Sequence, residues 1–260
     1  MGPRQTKSTP RRFADDPSII PLAIDPRSIA DAATIAVRDF WTSRKLARDA
    51  QEAAGRGLDR GTRSEVTSGK ALHGFARLVV RVLLGAGLTR DTIYVGSRTE
   101  VPGYFRAEKD WDLLVVRDGK LVAALELKSQ VGSFGNNFNN RVEEAVGSAT
   151  DLRNAIKAGS LGRSQRAWLG YLMLLQDDPR VRTPVRVQTP HYPVEPELVK
   201  ASYMTRYVHF CRRLQSTGLY SCAAVVLSPR GETGRYSEPA ADLGLERFLT
   251  ALSAVAGESA

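Results

Sequence analysis

Two apolar runs joined by an Asp-Gly pair constrain the fold of this chain more than any other feature. The runs extend from Trp111 to Arg117 and from Leu121 to Lys128, and Asp118-Gly119 between them is a strong signal for a tight turn. The sequence therefore predicts two neighbouring antiparallel strands that form a hairpin. Because strand residues two apart project from the same face, polar side chains near one end of such a hairpin would converge.

Charged residues stand at that end of the predicted hairpin: Asp112 in the first run, and Glu126 and Lys128 in the second. An acid between Val and Leu residues of a strand is costly unless it is paired or binds a metal. We interpret all three as catalytic. Asp112 and Glu126 would hold Mg²⁺ together with the backbone carbonyl of Leu127, and Lys128 would orient or help deprotonate a water that attacks a phosphodiester. The alternative is that Glu126 and Lys128 form a solvent-facing pair on an exposed strand.

Two further acids compete for places in this predicted metal site. Asp110 lies two residues before Asp112, so it would share the same strand face. We favour Asp112 because it adjoins the apolar run, where the geometry is better fixed. Glu65 is the nearest acid upstream of the helical pattern that starts at Leu72, and it is a candidate for the same metal site. The alternative is that Glu65 is an ordinary surface residue.

Helical and strand patterns alternate along the rest of the chain. Helical spacing of apolar residues recurs in the ranges 28–54, 72–86, 142–156, 199–215 and 243–255, and buried strands are predicted at 167–175 and 222–227. The proline-rich stretch 177–197 predicts a long exposed loop with a short central strand, and not a helix. Together these patterns predict an α/β fold in which helices flank a mixed central sheet.

The charge of the chain favours an anionic partner. Its net charge is +9, and nucleic acid is the commonest partner of a basic protein, although a basic protein without a polyanion partner is the simpler alternative. Residues 1–26 contain five prolines and several early basic residues, which predicts a flexible arm ahead of a single domain, 27–260. The arm either touches phosphates non-specifically or takes no part. No secretory signal or membrane-spanning run is recognisable, which predicts a cytoplasmic protein without a membrane partner.

Asp112, Glu126 and Lys128 match the PD-(D/E)xK nuclease signature in a degenerate form, without a proline directly before the first acid. Longer segments are more specific, and they resemble the XhoI-type family of type II restriction endonucleases from about Asp39 to Leu227. These segments are PGYFRAEKDWDLLVV, ELKSQVGSFGNNFNNRVEEAVGSATDL, ASYMTRYVHFCRRL and LYSCAAVVLS.

The resemblance implies a restriction-endonuclease-like core and a homodimer that uses Mg²⁺ to cut double-stranded DNA. The implied site is the palindrome CTCGAG, cut after the first C of each strand to leave a four-base 5′ overhang. It also implies a DNA methyltransferase that acts on the same site in the same bacterial or archaeal cell. Two alternatives remain, namely a repair nuclease of the PD-(D/E)xK fold and a non-catalytic DNA-binding protein.

A polar cluster directly after the predicted catalytic strand is expected to contact DNA. Asn amides and Arg guanidinium groups read base edges, and the cluster begins only eight residues after Lys128. The alternative is a turn and capping segment for the next helix, because Asn favours both roles. Lys70 is expected to bind the DNA backbone. The alternative is that Lys70 is an ordinary lysine exposed to solvent. The residues predicted to contact DNA are Gln130, Asn136, Asn137, Asn139, Asn140, Arg141 and Lys70.

Overall fold

The computed structural model describes residues 12–53, 71–162, 164 and 166–258. In these ranges two helices are followed by five strands, and helices then alternate with the last two strands. The helices are α1 (Pro26–Ala53), α2 (His73–Gly85), α3 (Phe134–Lys157), α4 (Pro179–Arg182), α5 (Tyr203–Ser216) and α6 (Leu245–Glu258). The strands are β1 (Ile93–Val95), β2 (Glu100–Pro102), β3 (Glu108–Asp110), β4 (Leu113–Arg117), β5 (Lys120–Gln130), β6 (Trp168–Gln176) and β7 (Cys222–Ser228).

The predicted hairpin is confirmed as β4 and β5. The two strands pair antiparallel from Leu113, opposite Leu125, to Arg117, opposite Lys120, with one register shift after Val115. Asp118 and Gly119 form the turn, and both have positive φ angles, 51° and 72°. Such a turn matches the right-handed twist of the flanking strands and favours an Asp-Gly pair.

The central sheet has the order β1-β4-β5-β6-β7 and is mixed, as predicted. β1, β4 and β5 are antiparallel neighbours, whereas β5, β6 and β7 run parallel. The parallel pairs are joined by crossovers that contain α3 and α5, as parallel connections require. The register places Gln130 beside Leu175, and Gln176 beside Ser228. The carboxyl ends of the three parallel strands therefore meet at one edge of the sheet, which we call the carboxyl edge.

Two apolar cores cover the two faces of the sheet. The first core joins α1, α2 and α6 to one face and includes Leu125 and Leu127, whereas the second joins α3 and α5 to the other face and includes Ala124. Because side chains alternate along a strand, Glu126 and Lys128 project from the same face as Ala124. None of the helices in the described ranges is both long enough and apolar enough to span a membrane.

The described part of the predicted N-terminal arm, residues 12–25, packs against the domain instead of extending from it. Ala14 and Ile19 are buried, and the Arg90 guanidinium donates hydrogen bonds to the carbonyl oxygens of both residues. The backbone N–H of Leu22 donates to the carbonyl of Arg81 on α2 at 2.9 Å. Regular structure here is limited to the short 3-10 helix Phe13–Asp15, but the prolines do not prevent the burial of the apolar residues between them. Residues 1–11 lie outside the described ranges.

Removal of residues 1–20 is expected to lower the free energy of unfolding by about 3 kcal/mol, because one fully buried isoleucine alone contributes about 1.5–3 kcal/mol. Urea unfolding followed by circular dichroism would measure the change. The matched control is removal of residues 1–11, which leaves the described contacts of Ala14 and Ile19 in place. Equal stability of the two truncated proteins would contradict the packing described above.

The proline-rich stretch differs from the prediction in two respects. Its first residues form the short helix α4, because Pro179 stands at the first turn, where its missing N–H costs nothing, and Asp178 caps the helix by accepting from the Arg180 N–H at 2.9 Å. Residues 183–195 run without the predicted short strand, and another short turn, Pro196–Leu198, follows them.

Candidate active site at the β4–β5 hairpin

Asp112 directly precedes β4 and is tied to the neighbouring strand. The backbone N–H of Leu127 donates to Asp112 Oδ2 at 2.8 Å. Asp112 Oδ1 has no hydrogen-bond partner among the described residues. Burial raises the pKa of Asp112 above its ordinary value, and the opposing effects of the Lys128 ammonium and the Leu127 N–H do not fully cancel the increase. The carboxylate form of Asp112 would therefore gain from a cation placed beside it.

Glu126 is buried, with 1% of its surface exposed, and both carboxylate oxygens have partners. Oε1 lies 2.9 Å from the Lys128 ammonium and 3.3 Å from that of Lys109, and Oε2 accepts a hydrogen bond from the Tyr220 hydroxyl at 2.9 Å. Burial alone would raise the pKa of Glu126, but the two lysines lower it below its ordinary value. Glu126 is therefore held as a carboxylate.

Lys128 connects the two acids. Its Nζ lies 2.9 Å from Glu126 Oε1 and 3.9 Å from Asp112 Oδ2. Burial lowers the pKa of Lys128, but the two carboxylates more than compensate, so the pKa is raised above its ordinary value. About a fifth of the side chain, 21%, remains exposed. The Lys128 side chain is thus protonated and reaches the surface beside Asp112, which is partly exposed.

The donor set suits a small, hard divalent cation. Asp112 and Glu126 contribute carboxylate oxygens beside each other, and Mg²⁺ prefers oxygen ligands and usually keeps several of its waters. The described part of the chain contains no group of three or more His, Cys, Asp or Glu residues that could hold a metal ion. Asp112 Oδ1 is available to such an ion. The cavity of about 130 Å³ beside Asp112 is lined by Asp110 and Leu127, and not by Glu126 or Lys128.

One of the two competing acids, Asp110, does not join this cluster. Asp110 lies on β3 opposite Glu100, and its carboxylate accepts a hydrogen bond from the buried Thr99 hydroxyl. Asp110 lines the same small cavity as Asp112, however, so it stays close to the site. Glu65 lies outside the described ranges.

The predicted DNA-contacting cluster lies on a helix, and not in a turn that precedes one. β5 extends to Gln130 and α3 begins at Phe134, so residues 136–141 occupy the first two turns of α3. Asn136, Asn139 and Asn140 are exposed, whereas Asn137 and Arg141 are partly buried. These side chains are therefore not helix caps. Lys70 lies outside the described ranges.

Gln130 has a different role from the predicted one. It is buried, and its Nε2 donates to the carbonyl of Phe134 at 3.0 Å while its Oε1 accepts a hydrogen bond from the Tyr207 hydroxyl. The side chain thus fixes the turn between β5 and α3. Its direct contact with DNA is not supported by this geometry, because its amide faces the protein interior.

Sequence patterns alone did not identify two residues that contact the acids. Lys109 forms an ion pair with Glu126, and its ammonium also lies 5.0 Å from the centre of the Trp111 ring. Tyr220 comes from the segment before β7, 94 residues after Glu126. The nearness of Lys109 to Asp110 and Asp112 in the sequence was a usable signal, whereas nothing local connects Tyr220 to the hairpin.

One family model and several known proteins match the chain. The family model described as restriction endonuclease XhoI matches residues 50–238. The type II restriction enzyme BstVI of Geobacillus stearothermophilus is 45% identical over 213 residues, which cover 78% of this chain and 95% of that enzyme. The type II restriction enzyme XhoI of Xanthomonas vasicola is 40% identical over 211 residues, which cover 80% and 84% of the two chains. AbrI, a type II restriction enzyme of Azospirillum brasilense, is 43% identical over 173 residues, which cover 66% and 77%. No solved structure matches the chain.

Proposed function

The chain belongs to the XhoI family of restriction endonucleases and is a site-specific deoxyribonuclease, and from that premise we propose how and where it cuts. The proposed reaction is the magnesium-dependent cleavage of both DNA strands at the palindrome CTCGAG, after the first C of each strand, which leaves a four-base 5′ overhang. The observation that supports the chemistry is the convergence of Asp112, Glu126 and Lys128 at one end of the β4–β5 hairpin.

Asp112, Glu126 and the Leu127 carbonyl would hold the metal ion. Bound magnesium would supply Lewis-acid stabilisation of the negative charge that develops on the attacked phosphate. Glu126 is positioned for this role by Tyr220, which holds Oε2. The Lys109 ammonium contacts Glu126 Oε1 and also donates a hydrogen bond to the Asp110 carbonyl at 2.8 Å. A cation that displaced it from Glu126 would leave it the second contact.

Lys128 would act on the phosphate and on the attacking water. Because its pKa is raised, it is an ammonium at neutral pH and donates hydrogen bonds. We assign it the orientation of the water and the stabilisation of the charge that builds on the non-bridging oxygens. Deprotonation of the water by Lys128 itself would first require the loss of a proton that the two neighbouring carboxylates hold in place.

A palindromic target implies two identical active sites, and the simplest arrangement is a two-fold symmetric homodimer on double-stranded DNA. We propose this dimer, together with a DNA methyltransferase that modifies the same site in the same cell. The proposed location is the cytoplasm of that cell, where its DNA and the methyltransferase are found.

The exposed start of α3 is the proposed surface that reads the DNA bases. Substitution of Asn136, Asn139 and Asn140 by alanine is expected to weaken binding to a CTCGAG duplex more than binding to a random duplex, by about 1–3 kcal/mol for each bidentate base contact that is lost. Fluorescence anisotropy at fixed salt would measure both affinities. Asn154→Ala, near the other end of α3, is the matched control. Equal losses on both duplexes would assign these residues to the DNA backbone or to the fold.

Digestion of a plasmid that carries one CTCGAG site, with magnesium and with EDTA, tests the proposed function directly. We expect a single cut, at that site and only with the metal, and sequencing of the ends should give the four-base overhang. Cuts at another sequence would keep the nuclease and reject the proposed target. Metal-dependent cleavage of damaged or branched DNA alone would favour the repair nuclease. Binding without cleavage would favour the non-catalytic DNA-binding protein.

A further inference from the structure

A basic cleft lies away from the hairpin, between the end of α1 and the segment that follows β7. Its volume is about 520 Å³. Four of its lining residues are cations and one is an acid. These residues are Arg44, Lys45, Arg48, Arg230 and Glu232.

The cations of this cleft are not equally neutralised. Lys45 pairs with Glu232 at 3.1 Å, and Arg48 lies within 4 Å of the carboxylates of two α1 residues. Arg44 and Arg230, by contrast, have no carboxylate within 4 Å among the described residues. Arg44 is partly buried, and its pKa is lowered by that burial and by the positive charge of Arg230. Asp178 lies close enough to Arg230 for their charges to interact, but neither guanidinium group forms an ion pair within the described ranges, and two such neighbouring groups favour an anion between or beside them.

The cleft lies at the carboxyl edge of the sheet, the edge towards which the active-site strand runs. Trp41, which lines the cleft, donates from Nε1 to the Ser228 hydroxyl at 2.8 Å, and Ser228 ends β7. In the sheet order, β7 is the second strand from β5, which carries Lys128. At about 4.8 Å between neighbouring strands, the lateral separation of β5 and β7 is about 10 Å.

We infer that this cleft binds phosphate groups of the DNA backbone through Arg44 and Arg230, at a distance from the bond that is cut. The inference rests on the proposed function, because the ligand is the same DNA. Duplex DNA carries one negative charge for about every 1.7 Å of its axis, so a duplex along the carboxyl edge presents many phosphates over such a span. Guanidinium groups suit phosphate because they can donate two parallel hydrogen bonds. The contact adds affinity that does not depend on sequence.

The test is the salt dependence of DNA binding by the full-length protein in EDTA, where no cleavage competes. Arg230→Ala, and separately Arg44→Ala, are each expected to reduce the slope of log affinity against log salt by about 0.9, the value for one lost phosphate contact. The reduction should be the same on CTCGAG and random duplexes, and the cut site should not change. Arg44→Lys, which keeps the charge, should recover most of the slope.

The matched control is Arg212→Ala. Arg212 lies near the end of α5 that leads into the start of β7, away from the carboxyl edge, and it pairs with Asp242 at 2.8 Å. The Arg212→Ala substitution should leave the slope of log affinity against log salt unchanged. Arg44 stacks over Phe40, so its alanine variant can lose stability, but Arg230 is exposed and decides the question alone if that happens.

An unchanged salt slope in a folded Arg230→Ala protein would overturn the inference. A loss of affinity for the CTCGAG duplex alone would also overturn it, because that outcome indicates a contact with the bases. Both outcomes leave the proposed function intact, provided that the unmodified protein binds and cuts DNA. Failure of the unmodified protein to bind any duplex would reject the cleft and the proposed function together.

Discussion

Replacing Lys128 with alanine is expected to reduce DNA cleavage by at least about 100- to 1,000-fold while the protein stays folded. The loss follows from the removal of the ammonium that would stabilise the charge on the attacked phosphate, since one preorganised donor of this kind contributes that much to the rate. The fold should persist because Glu126 keeps the Lys109 ammonium and the Tyr220 hydroxyl as partners. Single-turnover cleavage of a CTCGAG duplex would measure the rate, and circular dichroism would check the fold.

Lys120→Ala is the control for this experiment, because Lys120 is an exposed lysine at the other end of the same strand. Its cleavage rate should equal that of the unmodified protein. Binding of the duplex by Lys128→Ala should also persist, which separates lost chemistry from lost affinity. A folded Lys128→Ala protein that cuts at the normal rate would remove Lys128 from the mechanism.

Glu126→Ala is expected to have two large effects, loss of cleavage and a fall of about 3–5 kcal/mol in the free energy of unfolding. The second effect arises because the substitution leaves the Lys109 and Lys128 ammonium groups without their shared carboxylate, and removal of one partner of a buried ion pair costs about that much. Urea unfolding would measure the stability change. This cost follows from the burial of Glu126, which is 1% exposed.

Glu126→Gln separates the two effects, because its amide fills the same space and can still accept hydrogen bonds from the lysines. We expect a smaller loss of stability than in Glu126→Ala, but the same loss of cleavage, since a neutral amide is a poor ligand for magnesium. Glu108→Ala, an exposed acid on β3, is the control for the loss of a surface carboxylate. Full cleavage by Glu126→Gln would exclude Glu126 as a metal ligand.

Local patterns correctly predicted the hairpin and the convergence of Asp112, Glu126 and Lys128 near one end of it, because the relevant physics acts within a few residues. The Asp-Gly turn requires two positive φ angles, and the alternation of side chains then sets the face from which Glu126 and Lys128 project. The mixed sheet followed from the order of helical and strand patterns. Both features depend on the spacing of apolar, polar and turn residues along the chain, which can be read directly from a sequence.

The start of α3 was missed although its signal is present. The helical pattern recognised in the sequence begins at residue 142, whereas Phe134, Phe138, Val142 and Ala145 recur at helical spacing and pack into the second core. Tertiary burial of this apolar stripe stabilises a helix whose Asn residues have low helix propensity. The same packing, through the Tyr207 hydroxyl, turns Gln130 inward.

Contacts between distant segments were beyond local reasoning. Ile19 and Leu22 are buried although their proline-rich surroundings predict a flexible arm, because burial depends on the surface that α2 offers and not on the composition of the segment itself. Tyr220 reaches Glu126 for a similar reason, through the position of its segment just before β7 in the assembled sheet. A sequence does not show which strands become neighbours.

The Tyr220 contact also determines when the enzyme becomes complete during its synthesis. Translation proceeds from the amino terminus, so Asp112, Glu126 and Lys128 leave the ribosome well before Tyr220, which comes 94 residues after Glu126. A nascent chain that ends before β7 has the acids and the lysine but not the hydroxyl that holds Glu126 Oε2, nor the edge strand beside β6. Interrupted synthesis would therefore release fragments in which Glu126 lacks the hydroxyl that holds Oε2 in the full-length protein.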